Sequence, residues 1–361
     1  MWDGGEVMDE LTFVGFASAR GFWRGVGRLV AAANPATEDV PPLLVRLLFQ
    51  KGEGVDLGCM PAKTRVTSIP SRVATSCVEE LAASHPELGE TVDVCVSTQG
   101  ARHYVRSCCV HLMTGSYPVG SFWRISASAV VVSPELAFLQ SARDLDDDLL
   151  AAYGYELCGL YAREGEGRDG FVNCPALTSV ARVAAYLDRL EELRRARGQG
   201  LPPGLAKARR ALGRVRDRAA SPGEAITSMV LTSPRVLGGF GLPPAKLNVC
   251  VHLRSSTAEL FGIDSFVCDL SWDEGPVVEF QGGHHKLRSR AAYDRRKGNV
   301  LGADNRTVIQ VDAAMLGRQD RMEEVAKSVG RGLGIRWREP SKTIRTRQMN
   351  LRKKLLVDLG R

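Results

Sequence analysis

The stretch VCDLSWDEGPVVEFQGGHHKLRSRAAYDRRKGNVLG, residues 267–302, holds the alternation on which the fold reading turns. Successive strand side chains point to opposite faces, so Val277, Glu279 and Gln281 share one face of PVVEFQ while Val278 and Phe280 take the other. SFVCDL also reads as a strand, and SWDEGP between the two is a turn-rich connection. Antiparallel pairing about Glu274 sets Asp269 across from Glu279. Opposed carboxylates repel by about 0.2–1 kcal/mol. A cation between them reverses that sign, and Mg²⁺ characteristically takes one or two carboxylates and fills its other positions with water and phosphate oxygens. The spacing therefore supports phosphodiester chemistry, against the ordinary alternative of a surface hairpin whose carboxylates stay apart.

Outward from this stretch the pattern alternates between helix and strand. SPGEAITSMVL reads as a helix, KLNVCVHL, SFVCDL and PVVEFQ as strands, RSRAAYDRRKGNVLG as a helix, TVIQVD as a strand and RMEEVAKSVGRG as a helix. The simplest architecture is a mixed sheet with helices packed against it, in an α/β (α+β) chain. This domain is expected over residues 205–338, followed by a basic tail over 339–361.

Residues 91–197 read as a small α+β domain. TVDVCVS, HYVRSCCVHL and FWRISASAVVV are strand-like, SPELAFLQSARDL opens with Ser133 as N-cap and Pro134 at the first helical position, and DDDLLAAYGYELCGLYA follows. TSVARVAAYLDRLEELRRARG is the best helix in the chain, and GQGLPPG, residues 198–204, is the expected linker. Residues 1–90 carry the weakest signal, with helices expected at PPLLVRLLFQ and SRVATSCVEELAAS.

The 361 residues are 44% hydrophobic and 25% charged, enough for a sizeable core in two domains. The start, MWDGGEVMDELTF, is acidic where a targeting segment is basic, and no apolar run reaches membrane-spanning length, so the expected address is the cytoplasm with no membrane partner. Nine cysteines without a C-x-x-C pair read as reduced core residues rather than a zinc or disulfide framework. The net charge of +7 is unevenly placed. Residues 331–361 carry ten Lys/Arg against Glu339 and Asp358, and residues 194–218 carry nine against Asp217, which leaves the remainder acidic. That distribution fits either a polyanion binder or a pair of solvated helical faces.

Asp269, Glu279, Gln281, Gly282, Gly283, His285, Tyr293, Asp294, Arg296 and the strand TVIQV together resemble the PD-(D/E)xK nuclease superfamily, specifically small bacterial endonuclease-like domains related to very-short-patch-repair endonucleases. The likeness covers roughly residues 205–335, and the helix opening Ser221-Pro-x-Glu224 also matches. It implies a restriction-endonuclease-like mixed sheet flanked by helices, Mg²⁺ or Mn²⁺ held by Asp269 and Glu279, and hydrolysis of DNA. It also implies a site role for Glu224, although Ser221 and Glu224 form an S-x-x-E capping box that explains both without catalysis. Gln281 stands where the superfamily more often has lysine; it can orient water only through neutral hydrogen bonds. His285 matches the family histidine and has the chemistry of an acid or base near neutral pH.

Lys286, Arg288, Arg295 and Arg296, with Lys297, follow the candidate site and are expected to contact DNA phosphate. No small-molecule cofactor is expected, and a homodimer is left open. The rival reading is a catalytically inactive, nuclease-fold DNA-binding regulator. The middle region loosely resembles proteins related to abortive-infection antitoxins, without a helix-turn-helix at its start.

Overall fold

The computed structural model describes residues 11–33, 62–73, 75–101, 107–164, 170–282 and 288–357, and the chain divides into two compact units. It is mixed α/β. The expected helix at PPLLVRLLFQ lies outside the described residues.

The first unit is built on a six-stranded sheet of order β2-β5-β6-β1-β3-β4. Its strands are β1 (Thr12–Val14), β2 (Ala62–Lys63), β3 (Val92–Val96), β4 (Cys108–Leu112), β5 (Phe122–Arg124) and β6 (Ala129–Val132). β1 lies inside the sheet, parallel to β6 and antiparallel to β3. A boundary at residue 90 therefore falls within one sheet, and residues 1–90 and 91–197 do not separate there. FWRISASAVVV forms two antiparallel strands rather than one, because the small polar residues Ser126–Ser128 turn the chain between them.

Helices α1 (Phe16–Ala33), α2 (Thr75–Ser84), α3 (Pro134–Ser141), α4 (Asp147–Cys158), α5 (Val180–Ala196) and α6 (Leu205–Leu212) accompany this sheet. Ser133 and Ser179 cap α3 and α5, accepting from the Leu136 and Arg182 amides at 3.2 Å each. The expected linker at 198–204 is internal to this unit. Leu205, Ala208 and Leu212 of α6 are buried, and Arg209 reaches back to Asp188 at 2.8 Å and Glu191 at 2.6 Å of α5. The unit closes at Gly213. A short ribbon of β7 (Tyr161–Arg163) and β8 (Phe171–Asn173) completes the strands before residue 214.

The second unit carries α7 (Pro222–Thr232), β9 (Lys246–His252), α8 (Ser255–Phe261), β10 (Ser265–Ser271), β11 (Val277–Gln281), α9 (Arg288–Ala303), β12 (Val308–Asp312), α10 (Ala313–Leu316), α11 (Gln319–Gly332) and α12 (Lys342–Val357). Its sheet order is β12-β11-β10-β9, with β9, β10 and β11 antiparallel and β11 parallel to β12 across α9. Val251, Phe266, Cys268, Val277, Val300 and Leu301 form the core between this sheet and α9. Burial of side chains of this size contributes about 1.5–3 kcal/mol each.

On α7 a close approach decides the packing. A Cβ on Gly223 would lie 2.1 Å from the Phe280 ring. Gly223→Ala is expected to lower stability by about 1–3 kcal/mol through overpacking, read as a lower urea midpoint at unchanged slope.

The basic tail is a docked helix. Leu351, Leu355, Gln348 and Arg352 of α12 are buried, Gln348 Nε2 donates to the Gly239 carbonyl at 3.4 Å, and Arg345 pairs with Glu323 at 2.8 Å. The other basic segment is also committed in part, since Arg194 is buried and donates to the carbonyls of Ser116 at 2.8 Å and Thr114 at 2.7 Å. Much of the positive charge in both segments serves internal contacts. Among the described residues no helix is long and apolar enough to cross a membrane.

Candidate carboxylate site

β10 and β11 pair with Leu270 opposite Val278 and Ser271 opposite Val277. One further step of this register, centred on Glu274, sets Asp269 opposite Glu279. At that step the backbone ladder gives way to a side chain: the Phe280 amide donates to Asp269 Oδ2 at 2.7 Å. The carboxylate takes the place of a partner carbonyl where the strands begin to part, which fixes its position.

Glu279 is largely buried. Its Oε2 accepts from Lys297 Nζ at 2.7 Å, and its Oε1 is buried without a hydrogen-bond partner. The Cys268 thiol next to Glu279 is at best a weak donor. Burial first and the Asp269 charge second push Glu279 up to about 7, against the opposing pull of Lys297.

Lys297 is the residue that sequence reasoning misplaced. Its place in the basic run predicts phosphate contact, yet it is 7% exposed and its ammonium also donates to the Val267 carbonyl at 2.6 Å. Burial, the largest single influence, lowers its pKa, but the charge and hydrogen bond of Glu279 together with Cys268 and Asp269 outweigh it and hold Lys297 above the ordinary lysine value. A signal was available: Val300 and Leu301 lie three and four residues on, so Lys297 sits on the core-facing stripe of α9. A buried cation thus stands beside Glu279 although Gln281 occupies the strand position where the family more often has lysine.

Glu224 completes the carboxylate group from α7. Ser221 Oγ accepts from the Glu224 amide at 3.2 Å, as a capping box requires. The carboxylate reaches back to the Ala220 amide at 2.8 Å and to Ser221 Oγ at 2.9 Å, rather than to the Ser221 amide. Asn248 of β9, with a left-handed φ of 47°, also donates to it, and was not anticipated. Burial first and Asp269 second push Glu224 up to about 8. The capping role and a charged partnership with Asp269 are both present in this residue.

Asp269 acts on both Glu224 and Glu279, but the three carboxylates do not converge. No choice of one oxygen from each of Glu224, Asp269 and Glu279 brings all three within 4.8 Å. A three-carboxylate cage is therefore not formed. Gln281 ends β11 half-buried, opposite Asp312 of β12. Arg295 and Arg296 are exposed on α9, where Arg296 donates to the Phe261 carbonyl at 3.5 Å. His285 and Lys286 lie outside the described residues, as does the side chain of Arg288.

No family model, curated protein or solved structure matches this chain.

Proposed function

We propose that the second unit is a metal-assisted endonuclease-like phosphodiesterase acting on DNA, with Asp269 and Glu279 holding Mg²⁺ or Mn²⁺. The observation that carries this reading is the buried Glu279 Oε1, met by nothing stronger than the Cys268 thiol and standing beside the Asp269 charge, on a carboxyl already pushed up to about 7. Such an atom is costly unless something positive or hydrogen-bonding meets it. The mixed sheet flanked by helices agrees with the architecture that the resemblance implies.

When bound, the cation polarises the phosphoryl group and lowers the pKa of an attacking water. The protein's own groups do the rest. Asp269 is oriented by the Phe280 amide, so its carboxylate keeps one direction as the ligand arrives. Lys297 holds Glu279 Oε2, leaving Oε1 for coordination, and brings a fixed positive charge near the developing phosphoryl charge. Gln281 orients water through neutral hydrogen bonds. His285 supplies an acid or base, and Lys286, Arg288, Arg295 and Arg296 contact the phosphate backbone without reading sequence. Glu224, capped and coupled to Asp269, tunes the charge of the site rather than binding the cation.

The test is nicking of supercoiled plasmid in Mg²⁺ or Mn²⁺ by the wild type, Asp269→Asn and Glu279→Gln, with circular dichroism to check folding. Metal-dependent nicking by the wild type and a loss of at least about 100-fold in each variant are expected; equal rates in all three proteins would remove the assignment.

One observation favours a second reading. Lys297 already neutralises Glu279, so the fold can hold this carboxylate without a metal. A non-catalytic DNA-binding regulator predicts salt-sensitive binding, with log affinity falling linearly in log salt, and no Mn²⁺ uptake by calorimetry. Mn²⁺ binding that disappears in Glu279→Gln decides for the phosphodiesterase.

A further inference from the structure

We propose that Asp93, Cys109 and His111 in the first unit form a binding site for a zinc-class divalent cation, separate from the carboxylates of the second. β3 and β4 run parallel with Asp93 paired to Cys109 and Cys95 to His111. Strand alternation places Cys109 and His111 on one face, and the register places Asp93 on that face beside them. One ligand atom from each of the three lies within 4.8 Å of the other two, the group among the described residues that meets this condition. β4 is the edge strand of the sheet and Cys109 is exposed, so an ion can arrive from solvent.

Two of the three ligands are already held in place. Asp93 Oδ2 accepts from the Ser18 amide at 3.1 Å and the Ser18 hydroxyl at 3.4 Å, while the Asp93 amide donates to Ser18 Oγ at 2.8 Å. His111 Nε2 lies 2.6 Å from Asp93 Oδ1, and its ring stacks on Phe16 with centroids 3.8 Å apart and planes inclined by 17°. Carboxylate and imidazole are thereby oriented before a metal arrives, which cuts the ordering cost of binding. Two ligands at about 2.0–2.1 Å from a tetrahedral ion sit roughly 3.3 Å apart. The His111–Asp93 separation therefore has to widen by less than an ångström as the ion takes the place of their direct contact.

The donor set selects the metal. Mg²⁺ and Ca²⁺ favour oxygen donors throughout, whereas one thiolate, one imidazole and one carboxylate suit Zn²⁺ and its tetrahedral relatives. Three protein ligands leave a fourth position facing solvent for water or an incoming donor, the pattern of an open rather than a closed zinc site. Coordination takes Cys109 as thiolate and His111 as neutral imidazole, and the displaced protons go to solvent, so affinity rises with pH. The bound ion ties the edge strand to β3 and, through Asp93 and Ser18, to the start of α1.

Co²⁺ is the probe, titrated into the full chain after dialysis against chelator. The wild type is expected to show a thiolate-to-cobalt charge-transfer band and tetrahedral ligand-field bands that saturate at one equivalent and are displaced by Zn²⁺. Loss of groups that merely support metal ligands costs about 10–100-fold in affinity. Cys109→Ser, a near-isosteric change at an exposed position, should remove the charge-transfer band and weaken binding by at least about 100-fold. His111→Gln should weaken binding comparably, and Cys250→Ser, at another exposed cysteine, should leave the spectrum intact. A featureless wild-type titration, or a charge-transfer band that survives in Cys109→Ser with its circular dichroism unchanged, overturns the proposal.

Discussion

Lys297→Met is expected to lower the free energy of unfolding by about 3–5 kcal/mol at about pH 8, the range found when one partner of a buried ion pair is removed. The ammonium it deletes is bonded to Glu279 Oε2 at 2.7 Å and to the Val267 carbonyl at 2.6 Å. Without it, Glu279 is left with a buried charge, an Oε1 that already lacks a partner, and Asp269 repelling it. The loss should shrink at about pH 6, because Glu279 pushed up to about 7 is then largely protonated even in the wild type. The double variant Lys297→Met/Glu279→Gln should recover much of the loss, since a buried ion pair replaced by neutral groups of similar volume is often close to neutral in stability. Urea unfolding of these three proteins and of Glu279→Gln alone, at both pH values, closes a double-mutant cycle. A cost below about 1 kcal/mol at both pH values would mean that the pair is not buried as described.

What the sequence made legible in this unit follows from where periodicity is strong. β9, β10, β11 and β12 were each recognisable from alternating or β-branched runs, and the turn at SWDEGP fixed the register that opposes Asp269 and Glu279. The charge run DRRKGN groups Lys297 with the phosphate-contacting cations, and only its spacing to Val300 and Leu301 marks it as inward-facing. The tail's sequence leaves two readings of α12 open, a clamp on a nucleic-acid backbone and a helix docked on the protein, and the fold takes the second. The buried stripe of α12, Gln348, Leu351, Arg352 and Leu355, is helical in spacing but half polar; Gln348 donates to the Gly239 carbonyl, and Arg352 reaches Gln319 through one nitrogen while its Nε and Nη1 are buried without a partner. β1 is three residues long and wholly buried, so it offers no alternation to detect, yet it lies within the larger sheet and ties residues 12–14 to residues 92–132. Close ligand spacing along the chain does not mark the Asp93, Cys109 and His111 group, because Asp93 reaches the other two through strand register.

Asp269→Asn is expected to stabilise the metal-free protein at about pH 8 while abolishing its response to divalent cations. Glu279 at about 7 and Glu224 at about 8 both stand above the ordinary value of 4.5, each through burial first and the Asp269 charge second. Between these limits the folded chain keeps protons that the unfolded chain has released, so stability falls as pH rises. The contribution is fully present below about 4.5 and is lost through about 7 to 8. One unit of pKa separation corresponds to about 1.4 kcal/mol, so the two carboxyls together make the decline large. Asparagine keeps an acceptor for the Phe280 amide and removes the charge, which should flatten the slope and add on the order of 1–2 kcal/mol at about pH 8. In the wild type, Mg²⁺ or Mn²⁺ should restore stability more at about pH 8 than at about pH 6, because cations bind the deprotonated carboxylates. At 100 times the dissociation constant the gain is about 2.7 kcal/mol. Denaturation profiles from about pH 5 to 9, with and without metal, read both effects. A flat or rising metal-free profile would remove the raised carboxyls, and an Asp269→Asn protein that still gains stability from Mn²⁺ would move the cation away from Asp269. On the proposed reading the carboxyls are most strained in the protonation state a cation requires, so its arrival would relieve the strain, and Asp269 is the charge that acts on both Glu224 and Glu279.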